Sequence, residues 1–460
     1  TTDSAPSSTP DHCPAQTWMH YHTADENDLS GELLKVISKE KETQPHLGSS
    51  FNKVWVAAIA SSLGDGVQMA ALPLLAVQLT SDPLLIGAVG AVGTLPWFLL
   101  GLPAGALVDR WDRRKVMLRA DLVRFAILAL LTVAVLTDHA NIFLLIVAGF
   151  ALGCGDIFFD IAAQAVMPVV VSGEQALIRA NGRISAAQIN GEQLAGPPLG
   201  GVLFSLSRSL PFLGNAFSFL ISAICVRSLK GDFANAPTAE PTRRSLRAEV
   251  AEGLRWLLKH RVLRTLSGTA AVGNLVFTAK MSLLVLLAKD QLGLGDIGYG
   301  LLLSSTAVGA FLGSFMSSSI SKKIQVGSMR CIGMSVEGLA VVGLGLTKSP
   351  WVAGGMMAVI GFSMSVQIVI VGSLRQRLAP AEIRGRVLSA SRLISLMGAP
   401  FGGVLGGYLA GAISLRTPFI MGGLLMVLVA LVSLPALSNR SIREATEEAS
   451  ATTPVQVAAK

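Results

Sequence analysis

Apolar runs of about 20 residues recur along the chain, separated by short polar breaks. Each run is long enough to cross a bilayer as a helix. Twelve are predicted, at about 53–79, 84–108, 116–137, 142–170, 184–207, 210–229, 264–289, 297–320, 329–348, 351–373, 387–413 and 417–437. They are called spans 1 to 12. Backbone groups in hydrocarbon must bond within their own segment, so helices are expected. Runs this long exceed the usual helix of a soluble core. The predicted fold class is an all-α membrane protein with twelve transmembrane helices in two six-helix halves.

The halves are read from an internal repeat. Gly182-Arg183, followed by Pro198-Leu199-Gly200-Gly201-Val202-Leu203, returns as Gly385-Arg386, followed by Pro400-Phe401-Gly402-Gly403-Val404-Leu405, with one residue of slip. Each block starts at a basic loop and enters the fifth span of its half. A weaker echo links Gly105 and the charged loop after it to Gly313 and the Ser317 to Lys323 stretch, which keeps the bases and lacks the acid. The predicted organisation is a tail over 1–50, a bundle over 51–229, a linker over 230–262, a second bundle over 263–437 and a tail over 438–460. Both tails are polar and expected to be disordered. In the linker, Leu246, Val250, Leu254, Leu257 and Leu258 share one helical face, with Arg247, Arg255, Lys259 and Arg261 on or near the other. That pattern suits a helix on the membrane surface, or one packed beneath the bundle.

Composition agrees: 51% hydrophobic, 14% charged and a mean hydropathy of +0.58, against about 25% charge in soluble domains. The net charge of +8 is gathered in alternate loops. One set holds Arg110, Arg113, Arg114, Lys115 and Arg119; Arg179 and Arg183; the linker bases; Lys322, Lys323 and Arg330; and Arg375, Arg377, Arg384 and Arg386. The other holds little beyond Arg208, Lys289, Lys348 and Arg416. The basic set is expected on the cytoplasmic side, with both termini. Lipid headgroups account for this charge, so no nucleic acid partner is expected. Cys13, Cys154, Cys225 and Cys331 lack metal-ligand or disulfide spacing, and His12, His20, His22 and His46 are read as solvated tail residues. No metal site and no cofactor is expected.

Charged groups inside the spans are the functional candidates. Each costs at least about 2.5–3.5 kcal/mol in mid-membrane, so it faces a cavity or a partner. Asp65 and Gln68 lie in span 1; Asp156, Asp160 and Gln164 in span 4; Lys280, near Asn274, in span 7; and Gln367, with Ser363 and Ser365, in span 10. Glu192 lies in span 5 beside Asn190 and Gln193. Asp156 and Asp160 are one turn apart and repel when both are ionised, which favours holding a proton. The bland alternative is that the acids pair with Lys280 or cap broken backbone. Asp121 and Arg124 in span 3 are expected to pair along their own helix and snorkel to its end. Glu337 in span 9 has no assigned role. No catalytic constellation is present, nor a G-x-x-x-x-G-K-[ST] phosphate loop, so neither an enzyme nor an ATP-driven pump is expected.

Between spans 2 and 3 stands a charged knot, Gly105-Ala-Leu107-Val-Asp109-Arg110-Trp-Asp112-Arg113-Arg114-Lys115. It resembles the G-x-L-x-D-R-x-G-R-K loop of the major facilitator superfamily, with Asp112 where the pattern has Gly. Gly196-Pro197-Pro198-Leu199-Gly200-Gly201 resembles the G-P-x-x-G-G element in helix 5 of that superfamily's drug exporters, and returns at Gly398-Ala-Pro400-Phe-Gly402-Gly403. Gly191 departs from the full pattern, lying five residues before Gly196 rather than four. With Ala180-Asn181-Gly182-Arg183 and Glu252-Gly253-Leu254-Arg255-Trp256-Leu257, the likeness covers about 50–440 and points to the drug:proton antiporter branch related to macrolide efflux and siderophore exporters.

That resemblance implies a bacterial plasma-membrane transporter, a monomer whose spans 1, 4, 7 and 10 line a central cavity. Its partners would be the lipid bilayer, protons and a small-molecule substrate. The implied activity is export of an amphipathic antibiotic, siderophore or secondary metabolite by proton antiport with alternating access. Uptake, lipid or lysolipid translocation, and a non-transporting sensor are the alternatives. Gly105, Asp109, Arg110, Arg113 and Arg114 would form a gate, with Asp109 meeting the N-terminal end of span 11, whose dipole favours an anion. Gly196, Pro197, Gly200 and Gly201 would bend span 5 and let a neighbour approach closely.

Overall fold

A computed structural model describes residues 47–171, 173–229, 246–323, 325–379 and 383–451. The predicted tail up to residue 46, with Cys13 and its histidines, lies outside the described residues, as does the linker before 246. The described elements are all helical. Span 1 is Gly48–Leu79, span 2 Pro83–Val108, span 3 Arg113–Leu136 and span 4 Ile142–Val170. Span 5 runs over 174–206 and span 6 is Leu210–Arg227. Span 7 is Arg261–Leu286, continued by a π-helical turn Leu287–Gln291. Spans 8 to 10 are Asp296–Lys323, Val326–Leu346 and Pro350–Leu378, span 11 is Arg384–Ala412 and span 12 is Thr417–Ser433.

Among the described residues, nine helices are long and apolar enough to cross a membrane. Spans 3, 5 and 12 fall short for separate reasons. Span 3 carries a basic first turn and the buried Asp121 and Arg124, span 5 is too polar over its first two thirds, with Glu174, Arg179, Asn181, Arg183, Asn190 and Glu192, and span 12 has 17 residues. All three pack in the same bundle, which is consistent with the predicted twelve. Large apolar side chains face outward, Leu130, Phe143, Phe315 and Trp351 among them, as a lipid-facing surface requires.

Local signals set the helix ends. The Asp82 carboxylate accepts from the Leu84 amide at 2.8 Å, ahead of Pro83 at the first position of span 2. Asn141 caps span 4 through the Leu144 amide at 2.9 Å. Such caps each hold a helix start by about 1 kcal/mol.

Span 5 shows what its proline pair does. Neither Pro197 nor Pro198 has an amide hydrogen to give to the carbonyl four residues back. The helix loosens just upstream into a π segment, Ile189–Ala195, before regular helix resumes at Gly196. The Leu194 carbonyl, left without its Pro198 donor, accepts instead from the Ser304 hydroxyl of span 8 at 2.8 Å.

The repeat reappears as packing. Gly200 and Gly201 of span 5 lie against the Val67 carbonyl of span 1 and the Asp296 carbonyl of span 8. Gly402 and Gly403 of span 11 lie against the Leu275 carbonyl of span 7 and the Gly87 carbonyl of span 2. Exchanging the halves exchanges the partners, and side chains at these positions would force the backbones apart.

Two peripheral helices depart from the bare sequence reading. The linker helix Leu246–Lys259 packs on the underside of the bundle: Leu257 is fully buried, and Glu252 pairs with Arg386 of span 11 at 2.9 Å. Disorder was expected from 438, but Asn439–Ala451 is a helix, with Ala445 buried and Ile442 packed against a cluster that includes Leu257 and Leu437. Its three- and four-residue apolar spacing, thinly populated among charges, concealed it.

Candidate functional site

A cavity of about 990 Å³ lies among the spans. Its polar wall comes from the N-terminal half: Asp65 and Gln68 of span 1, Asp156, Asp160 and Gln164 of span 4, and Glu192 from the π segment of span 5. Residues 156, 160 and 164 recur every four positions and so share one helix face. Phe277, Met281, Tyr299 and Leu303 of spans 7 and 8 supply much of the facing wall. The predicted polar groups of the N-terminal half are thus gathered at one place.

Arg124 forms the expected pair with Asp121 on its own helix, but it also reaches across to span 4, which the sequence did not reveal. It is 2% exposed and does not snorkel. Its guanidinium donates to Asp121 at 2.5 Å and across to Asp156 of span 4 at 2.7 Å. Phe159 and Phe219 sandwich it at 4.6 and 4.2 Å from their ring centroids. Asp121, fully buried, also accepts from Ser222 of span 6 at 2.6 Å. A methyl built on Gly155 would stand 2.7 Å from Arg124 Cγ, so glycine there makes the seat. The signal in the sequence was Gly155 directly before Asp156.

Asp65 accepts from Ser61 at 3.3 Å, and Gln68 accepts from the buried Asn215 of span 6 at 2.8 Å. The carboxylates of Asp65, Asp121, Asp156 and Asp160 lie within electrostatic reach of the Arg124 guanidinium, Asp160 also within that of Arg392 of span 11, and Glu192 neighbours Asp156 and Asp160. When all are ionised, this half of the site carries an excess of negative charge. Its cost falls when a proton or a cation enters.

The C-terminal half is built differently, which corrects two predicted residues. Neither Lys280 nor Gln367 is among the residues lining the cavity. Gln367 donates to Glu337 at 3.3 Å and to Ser363 at 3.1 Å, and accepts from Arg330. Arg330 also donates to Thr269 at 3.1 Å. This closed network places Glu337, which the sequence left unassigned. Lys280 is buried, with its ammonium 5.0 Å from the Phe277 ring centroid. Polar residue type alone does not reveal which face of a span meets the cavity.

The cavity is closed at one end. Gly201 against Asp296, and Gly407 against Pro83, join spans 5 to 8 and 11 to 2 at the end opposite the charged knot. Toward the knot such close backbone contacts are lacking: methyl groups built on Gly93, Gly101, Gly105 and Gly182 meet nothing within 4 Å among the described residues. Arg392 of span 11 reaches over the Trp97 ring of span 2, 5.2 Å from its centroid, on that open side.

Arg113 and Arg114 tie the knot to its own half. Arg113 donates to the Ala165 carbonyl of span 4 at 3.1 Å, and Arg114 donates to the Arg227 carbonyl that ends span 6. Asp112, at the position of the family glycine, caps span 3 through the Arg114 and Lys115 amides at 3.0 and 3.2 Å. Asp109 and Arg110 are exposed.

The model of a family described as transmembrane secretion effector matches residues 43–459. The chain is 27% identical over 391 residues to the multidrug efflux pump Tap of Mycolicibacterium fortuitum, covering 82% of this chain and 93% of that protein. It is 23% identical over 390 residues to macrolide efflux protein A of Streptococcus pyogenes, covering 83% and 94%. Among solved structures, a bacterial homologue of the iron transporter ferroportin in an inward-facing state is similar, with a TM-score of 0.67 at 18% identity over 86% of this chain and 100% of that one. An inward-facing bacterial homologue of the lysosomal transporter Spinster gives 0.64 at 15% identity, over 88% and 98%. These two likenesses carry the fold. The family match spans nearly the whole chain, so the chain belongs to the transmembrane secretion effector family of the major facilitator superfamily and is a multi-pass bacterial membrane transporter, not an enzyme.

Proposed function

We propose that this transporter exports an amphipathic small molecule in exchange for protons, by alternating access. The observation that carries the reading is the mixed lining of the cavity: carboxylates from spans 1, 4 and 5 share it with apolar and aromatic side chains such as Trp97, Phe159, Phe277 and Met281. Its size suits a drug-sized ligand, and its apolar lining suits a broad range of hydrophobic shapes. The names of the efflux relatives support the same direction.

Four carboxylates around the cavity cannot all stay ionised once water is expelled, because buried like charges repel and lose hydration. The cavity can close only with protons on them or with a cationic group among them. Protons loaded from the outside then leave as substrate enters from the inside. By the basic-loop rule the knot end faces the cytoplasm, which makes the state described here inward-facing. Span 5 and span 11 rock on their glycine contacts to open the other end. The gate would close when Asp109, Arg110, Arg113 and Arg114 dock toward span 11. Gly105 keeps the space that this approach needs.

The test is transport by the purified chain in liposomes, with a panel of lipophilic compounds and an imposed pH gradient. Gradient-dependent movement of at least one amphipathic compound is expected. Compounds that equilibrate at the rate of empty liposomes across the whole panel refute the reading. Accumulation in intact cells, with and without an uncoupler, decides between export and uptake.

A further inference from the structure

We propose that the outer groove between spans 3 and 4 binds an anionic phospholipid, with its phosphate on Arg110, Lys115 and Arg119 and an acyl chain in the trough below. The groove has a volume of about 560 Å³ and lies apart from the transport cavity. Val116, Ala120 and Val123 of span 3 form one wall, at three- and four-residue spacing. Ala151, Cys154 and Phe158 of span 4 form the other. At 1.5 Å per residue each wall runs for about 10 Å, enough for a good part of one chain.

The groove differs at its two ends. Away from the knot it is apolar and open, with Val123 half exposed. At the knot, Trp111 stacks on Phe158 at 6.3 Å, and the three basic side chains stand exposed around it. An aromatic ring beside basic residues marks the headgroup level of a bilayer. Asp112 is the acid among the lining residues. Its carboxylate is already engaged by the Arg114 and Lys115 amides and by the Lys115 ammonium at 3.5 Å. Three bases against that one acid leave about two positive charges facing a phosphate. The wall faces hydrocarbon, so the matching occupant is a lipid whose headgroup is negative. Each basic group near a membrane surface favours an anionic lipid roughly fivefold, so about a 25-fold preference is expected.

The full chain would be placed in phosphatidylcholine nanodiscs and titrated with brominated phosphatidylglycerol or brominated phosphatidylcholine. The Trp111 emission, obtained as the difference between the wild type and Trp111→Phe, reports occupancy. Half-quenching by brominated phosphatidylglycerol is expected at a mole fraction roughly 25-fold lower than by brominated phosphatidylcholine. The Lys115→Gln/Arg119→Gln double variant changes exposed side chains only, and should bring the two lipids within about twofold of each other. Cys154→Phe fills the trough and should weaken quenching by both lipids while leaving the helical circular dichroism intact. Equal quenching by the two lipids in the wild type overturns the proposal, whether a zwitterionic lipid or a second copy of the chain covers the groove. A phosphatidylglycerol preference that survives in the double variant overturns it as well.

Discussion

Replacing Arg124 by methionine removes the guanidinium that pairs with both Asp121 and Asp156 while keeping most of its volume. Asp121, fully buried, then keeps a single described donor, the Ser222 hydroxyl. Asp156 is less exposed to the loss, because its side chain is 37% accessible from the cavity. Breaking a buried pair by deleting one partner costs about 3–5 kcal/mol, since the remaining charge stays uncompensated. At about 2.1 cal/mol/K per residue, unfolding 460 residues carries an entropy of about 1 kcal/mol/K, so the melting temperature should fall by about 3–5 °C. Replacing the whole pair behaves differently, because a neutral isostere pair carries no desolvation penalty. Asp121→Asn combined with Arg124→Met should therefore recover most of that loss. The assay is thermal unfolding of detergent-purified protein, followed by tryptophan fluorescence or by loss of the monodisperse chromatographic peak. If Arg124→Met melts with the wild type, or if the double variant melts no higher than the single, Arg124 is not the charge centre of this half.

Other substitutions separate packing from transport. Gly66→Ala should abolish folded protein, judged by monodisperse yield, because its methyl would stand 2.6 Å from the backbone carbonyl oxygens of Gly191 and Glu192 in the π segment. Gly105→Ala should fold and melt as the wild type does, because nothing among the described residues lies within 4 Å of the added methyl; transport in liposomes should nevertheless fall at least tenfold if the knot approaches span 11 in the opposite state. Asp112→Ala should cost about 1 kcal/mol of helix capping and Asp112→Asn only a few tenths, read as the difference in melting temperature between the two variants.

The sequence carried the bundle because a lipid-facing helix has little freedom in composition. The runs around Ile142 to Val170 or Pro350 to Leu378 can be little else. Span 3 was equally legible as a run of residues, yet its bases leave it outside the nine clear crossings. Asp65, Asp156, Asp160 and Glu192 stood out because charge in a membrane segment is costly, and all four line one cavity. What a single sequence could not supply was direction. Gln367 and Lys280 have the same polarity as the lining residues but turn inward to the C-terminal half, where Arg330 and Glu337 engage Gln367. Arg124 sits three residues after Asp121 and looked like half of a local pair. Its reach to Asp156 depends on how spans 3 and 4 pack, which helical periodicity does not encode. The π segment was hidden for a related reason: two prolines announce missing donors, but where the slack is taken up depends on Ser304 of a span in the other half.

The central claim is that the carboxylates of the cavity exchange protons for substrate. The measurement closest to it is proton movement itself, read by a pH-sensitive dye trapped in proteoliposomes when a transported compound is added with no gradient imposed. The account predicts a substrate-evoked pH change opposite in direction to substrate flow, lost in an Asp65→Asn/Asp156→Asn variant that still binds the compound. Substrate movement without any proton movement, or a pH change undiminished in that variant, would contradict it.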